Sequence, residues 1–417
     1  MSRTLICYLI FICFSFQLNA QYSCDGSRYR SIVFNSVDTI KAIKFGDCIT
    51  PGGSNKELFM DIYQPVGDTV SRRPVIVYAF GGTYVTGDRT QLAELCHKSA
   101  QRGFVAVAID YRTYDRLSLP DSLAFADVAL KAAGDMKAAV RKIREWSMGN
   151  NPYRMHSDFI VVGGVSSGAI TAMHAAMVDS VDNIPSHFRT IINNNGGFEG
   201  NSSNNFQYSS SVQAVLNFSG AIARTDWIDV NDPPVFSVHD DGDPTVPFGN
   251  DFAAVNFNVP IIGQVTLDII YLEGSQSIQN KLRQLNIPSD MIVKTNSTGH
   301  VSYFSGNNIW KDSIIENSHI FLHNLICGIQ SNTNIEADFE YQVFPNPARS
   351  ELQISLPLNQ GLFHVSLFNL NGQELKQWKS NGGFLTIKRP NENGQMYFLT
   401  LKNMKTGLVK THKILFQ

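Results

Sequence analysis

From residue 55 onward the chain alternates short β-rich apolar runs with amphipathic stretches, and few folds accept that order. The runs 57–63, 74–79, 104–110, 159–163, 212–218, 234–239 and 291–295 read as strands, rich in Val, Ile, Phe and Tyr. Between them, 91–102, 125–146, 169–178, 275–285 and 310–326 place apolar residues at helical spacing. Strand and helix in alternation predict an α/β architecture: a mostly parallel sheet with helices on both faces.

The pattern stops past Asp338. There, short alternating runs at 352–356, 363–368 and 398–401 sit between Asn/Gly turns, and Asn371-Gly372 is a hairpin signal. The reading is a small C-terminal all-β sandwich. Charge divides at the same place: residues 341–417 carry nine Lys+Arg against three Asp+Glu, whereas residues 21–340 carry 24 against 33. Two modules are expected, at 21–330 and 341–417, joined by a linker at 331–340. A formal charge of −2 over 417 residues argues against nucleic acid as a partner, because phosphate binding needs a concentrated basic surface.

The N-terminus, with Arg3, an apolar run from Leu5 to Phe16 and Ala20 before a polar stretch, looks like a cleaved secretory signal over 1–20. The run is too short to span a bilayer, so no membrane span is expected in the mature protein. Cys7 and Cys13 leave with the signal. Cys24, Cys48, Cys96 and Cys327 remain, and an even number in an exported chain suggests disulfides. Three pairings are open; Cys24 with Cys48 is favoured because a short loop closes easily, and free buried thiols suit Cys96 and Cys327.

One junction carries chemistry. Phe159–Val165 runs as a strand into a helix through Gly164-Val165-Ser166-Ser167-Gly168, the G-x-S-x-G pattern of a nucleophile elbow. A serine on so sharp a turn needs small neighbours two residues either side; Ser167 fails that test, with Val165 and Ala169 flanking it. An activated serine also needs a base to take its proton and a carboxylate to hold that base. Asp243 is the candidate acid, past a strand end and held between Gly242 and Pro244, with Asp240 and Asp241 competing as turn caps or solvated charges. His300, in the loop between the last strand and the closing helix, is the candidate base on position and order. The strand at 74–79 runs into Gly81-Gly82-Thr83, whose backbone N–H groups at Gly82 and Thr83, joined by that of Ser167, are the candidate oxyanion donors. No His/Cys/Asp cluster has ligand spacing, so neither metal nor organic cofactor is expected.

Residues from about 55 to 327 therefore resemble a carboxylesterase or lipase of the α/β-hydrolase fold, because four motifs occur in order. These are Leu58–Gln64 with the Pro74–Asp88 oxyanion segment, the elbow at Ser166, the Gly-Asp-Pro-Thr-Val-Pro loop at 242–247, and Gly299-His300. The resemblance implies a Ser166, Asp243, His300 triad acting on an ester. One departure is Phe80, where such esterases commonly carry the histidine of H-G-G; its N–H is retained. Alternatives on the same machinery are an esterase of decorated polysaccharide or polyester and a serine peptidase, and the rival of a different class is a hydrolase-fold binding protein without chemistry.

The tail resembles the C-terminal sorting domain of the type IX secretion system of Bacteroidota, through Phe344-Pro345-Asn346-Pro347, Leu367–Gly372, Gly394–Tyr397 and the closing Lys413–Gln417. This implies engagement with that secretion machinery and a secreted or cell-surface protein. A carbohydrate-binding module is the weaker reading of its basic charge.

Overall fold

The computed structural model describes residues 24–259, 263–305, 309–328, 341–358, 361–369, 373–390, 396–404 and 409–416. The signal at 1–20, the linker at 331–340 and the Asn371-Gly372 turn lie outside them. The chain divides into two compact units, Met1–Ile329 and Gln330–Gln417.

The first unit is built on an eight-stranded sheet. Its strands in chain order are β1 (Val37–Ile49), β2 (Asn55–Pro65), β3 (Arg73–Ala79), β4 (Val105–Ile109), β5 (Met155–Val165) and β6 (Ala214–Phe218). A two-residue strand, β7 (Ala221–Ile222), then leads to β8 (Val235–Asp240), β9 (Asn250–Val259), β10 (Gly263–Gly274) and β11 (Ser289–Lys294). The sheet runs β1-β2-β4-β3-β5-β6-β8-β11, with β2 antiparallel to both neighbours and the pairs from β4 to β11 parallel. The inner strands β3, β4, β6 and β8 are buried at every residue, which is why they read as continuous apolar runs.

Helices α1 (Ala93–Ala100), α2 (Ser122–Met148), α3 (Ser167–Met177), α4 (Ser186–Asn194), α5 (Ser275–Gln284) and α6 (Ile309–Ile326) connect the strands. The Asp121 side chain caps α2 by accepting from the Ala124 N–H at 2.8 Å, satisfying one of the orphan donors of its first turn. The predicted strands and the five predicted helices are all present. The reading did not include β1, α4, β7 or the hairpin β9–β10, which stands outside the main sheet and pairs with β7.

The stretch 193–211 is rich in Asn, Ser and Gly. Its first residues close α4, and the rest is a strap bound to α2. Lys137 donates to Phe198 O at 2.9 Å, Arg141 to the Glu199 carboxylate at 2.6 Å, Arg144 to Ser211 O at 2.8 Å, and Arg112 to Asn201 Oδ1 at 2.9 Å.

Cys24 bonds Cys327, not Cys48. The N-terminal segment crosses to the helical layer, where Tyr29 N donates to Arg102 O at 2.8 Å and His323 Nδ1 donates to Arg28 O at 2.9 Å, so Cys24 reaches the end of α6. Cys48 sits on β1 and Cys96 on α1, both buried free thiols. Tertiary placement overrides the entropic preference for a short loop.

The second unit is all β, with one sheet of three strands and one of four. Strands β12 (Gln342–Phe344), β13 (Glu351–Leu356), β14 (Phe363–Phe368), β15 (Glu374–Ser380), β16 (Gly383–Lys388), β17 (Met396–Asn403) and β18 (Val409–Leu415) pair as β12-β13-β16 and β15-β14-β17-β18. Leu352, Ile354 and Leu356 alternate into a core shared with Val365, Leu367, Leu399 and Leu401. That alternation is the signature of a sheet with one wet face.

Candidate active site

Ser166 stands between β5 and α3 with φ 55° and ψ −122°. This conformation is rare for a residue with a side chain and costs about 1–3 kcal/mol. The surrounding bonds hold it: Ser166 N donates to Phe218 O at 2.8 Å, and Ser166 O accepts from Ala169 N and Ile170 N at 2.8 and 3.0 Å. Both flanking glycines are required by close approach. A Cβ at Gly164 would lie 2.3 Å from Gly168 C, and one at Gly168 would lie 2.1 Å from Ala79 O.

The fold brings the two distant partners to this serine. His300 Nε2 is 2.7 Å from Ser166 Oγ, and His300 Nδ1 is 2.7 Å from Asp243 Oδ2. Asp243 is buried past the end of β8, and its Oδ1 accepts from Thr245 N at 2.8 Å and Val246 N at 3.1 Å. Burial pushes its carboxyl up, but the hydrogen bonds from His239, His300 and the Thr245 backbone outweigh it and hold the carboxyl at about 2. The acid is therefore an anion throughout the neutral range, suited to keep a proton on His300 Nδ1 and leave Nε2 facing the serine.

Asp240 and Asp241, the competing acids, do a different task. Asp241 accepts from Asn296 N and Ser297 N at 2.8 and 2.9 Å. Asp240 accepts from Ser297 Oγ at 2.5 Å and from Ser302 N at 3.0 Å. Together they fasten the loop that carries His300 to the acid loop. Their sequence signal was visible as turn caps, but what they cap lies more than fifty residues away.

The loop that bears the oxyanion candidates Gly82 and Thr83 lies beside the same serine. A Cβ at Gly81 would be 3.3 Å from Ser166 Cβ, so the loop after β3 passes against the elbow. Gly82 and Thr83 both have positive φ, at 130° and 53°. Among the described residues no acceptor takes the N–H of Gly82, Thr83 or Ser167. Phe80, in the place of the H-G-G histidine, stacks on Tyr111 with centroids 4.2 Å apart, while Tyr111 donates to Phe80 O at 2.7 Å. An aromatic stack thus braces the loop.

Ser166 opens onto an apolar cleft whose walls include Tyr84, Phe125, Ile170 and Trp227, with Ala253 and Leu272 from the β9–β10 hairpin as a further wall. A second cleft, behind Gly81 and Val165, is closed by Val301 and Phe304 and carries Glu94 and Lys311 at hydrogen-bond distance. Tyr84 and Trp227 line the first cleft and Phe304 the second, whereas Tyr111 is core.

A family model described as BD-FAE matches residues 60–227, and a secretion system C-terminal sorting domain matches residues 342–417. The chain carries an esterase-like α/β-hydrolase domain of BD-FAE type and a type IX sorting domain. The BD-FAE match includes the Gly81-Gly82-Thr83 loop and the turn at Ser166 but ends before Asp243 and His300. The sorting domain marks a secreted or cell-surface protein. No helix among the described residues is long and apolar enough to cross a membrane.

No curated protein matches the chain. Among solved structures, esterase 2 of Thermogutta terrifontis with propionate bound is 20% identical, with 66% of this chain and 92% of that one covered at a TM-score of 0.46. The same esterase phosphoramylated by tabun gives 20%, the same coverages and 0.47. A truncated carbohydrate esterase from gut microbiota gives 15% identity, 69% and 96% coverage and 0.49.

Proposed function

We propose that the BD-FAE-type domain is a serine carboxylic ester hydrolase that works through an acyl-enzyme on Ser166. The observation that carries the reading is the unbroken chain of two 2.7 Å contacts from Ser166 Oγ through His300 to Asp243.

In this mechanism His300 Nε2 takes the hydroxyl proton as Ser166 Oγ attacks the ester carbonyl carbon. The carbonyl oxygen becomes an anion and receives hydrogen bonds from the N–H groups of Gly82, Thr83 and Ser167, each worth about 2.7–4 kcal/mol in such sites. Collapse breaks the bond to the alcohol, which leaves with the proton from His300. Water then attacks the acyl-enzyme by the same path, giving the carboxylic acid and restoring Ser166. Asp243 remains an anion throughout, which favours the imidazolium that forms twice in the cycle.

The apolar cleft suits the acyl group. Its walls offer aliphatic and aromatic surface and almost no hydrogen-bonding groups, so an acyl chain gains there by leaving water, at roughly 0.8 kcal/mol for each buried methylene.

A fluorophosphonate probe tests the reading directly. The full-length secreted chain should be labelled on Ser166, and Ser166→Ala should lose both the label and hydrolysis of nitrophenyl esters. An unlabelled, inactive wild type overturns the enzyme reading and favours a binding protein. A Ser166→Ala variant that still hydrolyses esters overturns the choice of nucleophile.

A further inference from the structure

The carboxylate oxygen that receives His300 stands between two imidazoles. His239 lies on β8, four residues before Asp243, and its ring is fully buried. Its Nε2 is 3.1 Å from Val246 O and 3.4 Å from Asp243 Oδ2, the same oxygen that accepts from His300 Nδ1. Its Nδ1 is 2.7 Å from Ser275 Oγ, at the start of α5.

These neighbours fix the protons. A carbonyl oxygen can only accept, so Nε2 carries hydrogen. In the neutral ring Nδ1 is then an acceptor, and the Ser275 hydroxyl supplies its proton. Ser275 is held for that purpose, because Asn217 Nδ2 donates to its oxygen at 3.0 Å and the competing acceptor, Gly220 O, is farther away at 3.3 Å. Asn217 and Ser275 are themselves buried, so water does not enter the chain to exchange the roles. The His239 N–H is thereby aimed permanently at the turn of residues 243–246.

That turn is the mount of the acid. Val246 N donates to Asp243 Oδ1 while Val246 O accepts from His239, so one ring restrains the backbone of the turn and also faces the carboxylate oxygen that meets His300. Without it, Val246 O loses its donor, and the turn whose N–H groups hold Asp243 Oδ1 is freer to shift the carboxylate against His300.

We propose that His239 is a positioning residue for the triad, which acts through Asp243 and does not touch the substrate. This rests on the assignment of Asp243 as the triad acid. It explains why a buried polar ring and a buried Asn–Ser pair lead to this turn.

The test uses the full-length chain, nitrophenyl butyrate as substrate, and three variants. His239→Phe keeps the ring volume and removes both hydrogen bonds. It should lower kcat at least tenfold with KM changed less than twofold, and should shift or abolish the low-field proton resonance of His300 Nδ1–H. His239→Gln, which can present an N–H to the turn and an acceptor to Ser275, should recover most of kcat and the resonance. Wild-type kcat with an unmoved resonance in His239→Phe overturns the inference. If that variant does not fold, Ser275→Ala decides: it removes the proton donor to Nδ1 and should lower kcat several-fold at unchanged KM, whereas an unchanged kcat overturns the inference. Fluorophosphonate labelling of the wild type separates the two levels. Failure to label condemns the esterase reading itself, while labelling together with an indifferent His239→Phe condemns only the role of His239.

Discussion

Asp240 accepts hydrogen bonds from both the backbone N–H and the hydroxyl of Ser302, two residues beyond His300, at 3.0 and 2.5 Å. A carboxylate at the end of β8 therefore anchors the loop that bears His300, while Asp243, three residues further on, meets the His300 ring at 2.7 Å. Asp240→Ala removes the anchor and leaves Ser297 and Ser302 without their acceptor. A displacement of the imidazole by about 1 Å costs on the order of 10²-fold in rate, so kcat should fall by about that factor while KM changes little. Steady-state kinetics on nitrophenyl butyrate reads it; a fall in kcat/KM that lies entirely in KM refutes it.

Removal of triad groups should follow a different pattern. Asp243→Asn keeps the shape but cannot stabilise a positive imidazole, and its amide favours the wrong tautomer of His300. A loss of about 10⁴-fold in kcat is expected, as for the corresponding change in other triads. Ser166→Ala should lose at least as much. The double variant should be no worse than Ser166→Ala, because groups that act as a unit are not additive. Losses that multiply would mean that the two residues serve separate steps.

The sheet and the three residues that meet at Ser166 were legible in the sequence for the same physical reason. Strands buried on both faces must be apolar throughout, and the turns at their carboxyl ends need Gly, Asp and Ser, so Phe159–Gly168 and Val235–Asp243 announce both their structure and their use. Less visible were relations set only by tertiary placement. Cys24 meets Cys327 because the N-terminal segment runs to α6, which no local rule encodes. The β9–β10 hairpin alternates properly at Val265, Leu267 and Ile269, yet it lies outside the βα rhythm and was passed over. Asp240 and His239 stood beside the acid in plain sight, but their partners at Ser302 and Ser275 are distant in sequence.

That hairpin gives the acyl cleft a removable wall. Ala253 contributes a small side chain to it, so Ala253→Phe narrows the cleft without altering Ser166, His300 or Asp243. Long acyl groups should suffer most. Since each buried methylene is worth roughly 0.8 kcal/mol, kcat/KM for nitrophenyl octanoate should fall at least tenfold and that for the acetate less than threefold. Equal losses on both esters would show that the acyl chain lies elsewhere.

The Cys24–Cys327 bond closes a loop of 303 residues and ties the first described segment to the last helix of the hydrolase unit. Loop entropy in the unfolded chain makes such a bond worth about 2–5 kcal/mol. Cys24→Ser should lower the midpoint of urea unfolding of the hydrolase unit accordingly, with kcat near wild type at 25 °C because neither cysteine lines the cleft at Ser166. Wild-type stability in the variant, or an equal effect of dithiothreitol on wild type and variant, would refute the assignment.

A final test concerns stability against pH. Burial pushes the Asp232 carboxyl up to about 7, and the neighbouring Asp229, Asp182 and Asp179 charges act in the same direction, against a single hydrogen bond from Asp229 N. The unfolded carboxyl titrates near 3.9. Between about pH 4 and pH 7 the native state holds a proton that the unfolded state has lost, so stability falls as pH rises and the penalty is complete above about 7. Asp232→Asn keeps an acceptor for Asp229 N and removes the ionisation, and with it the penalty. Its melting temperature should exceed that of wild type at pH 8 by at least ~2 °C, and the advantage should vanish at pH 4, where both carry a neutral side chain. An advantage of the same size at both pH values would show that relief of crowding, not of charge, is the cause.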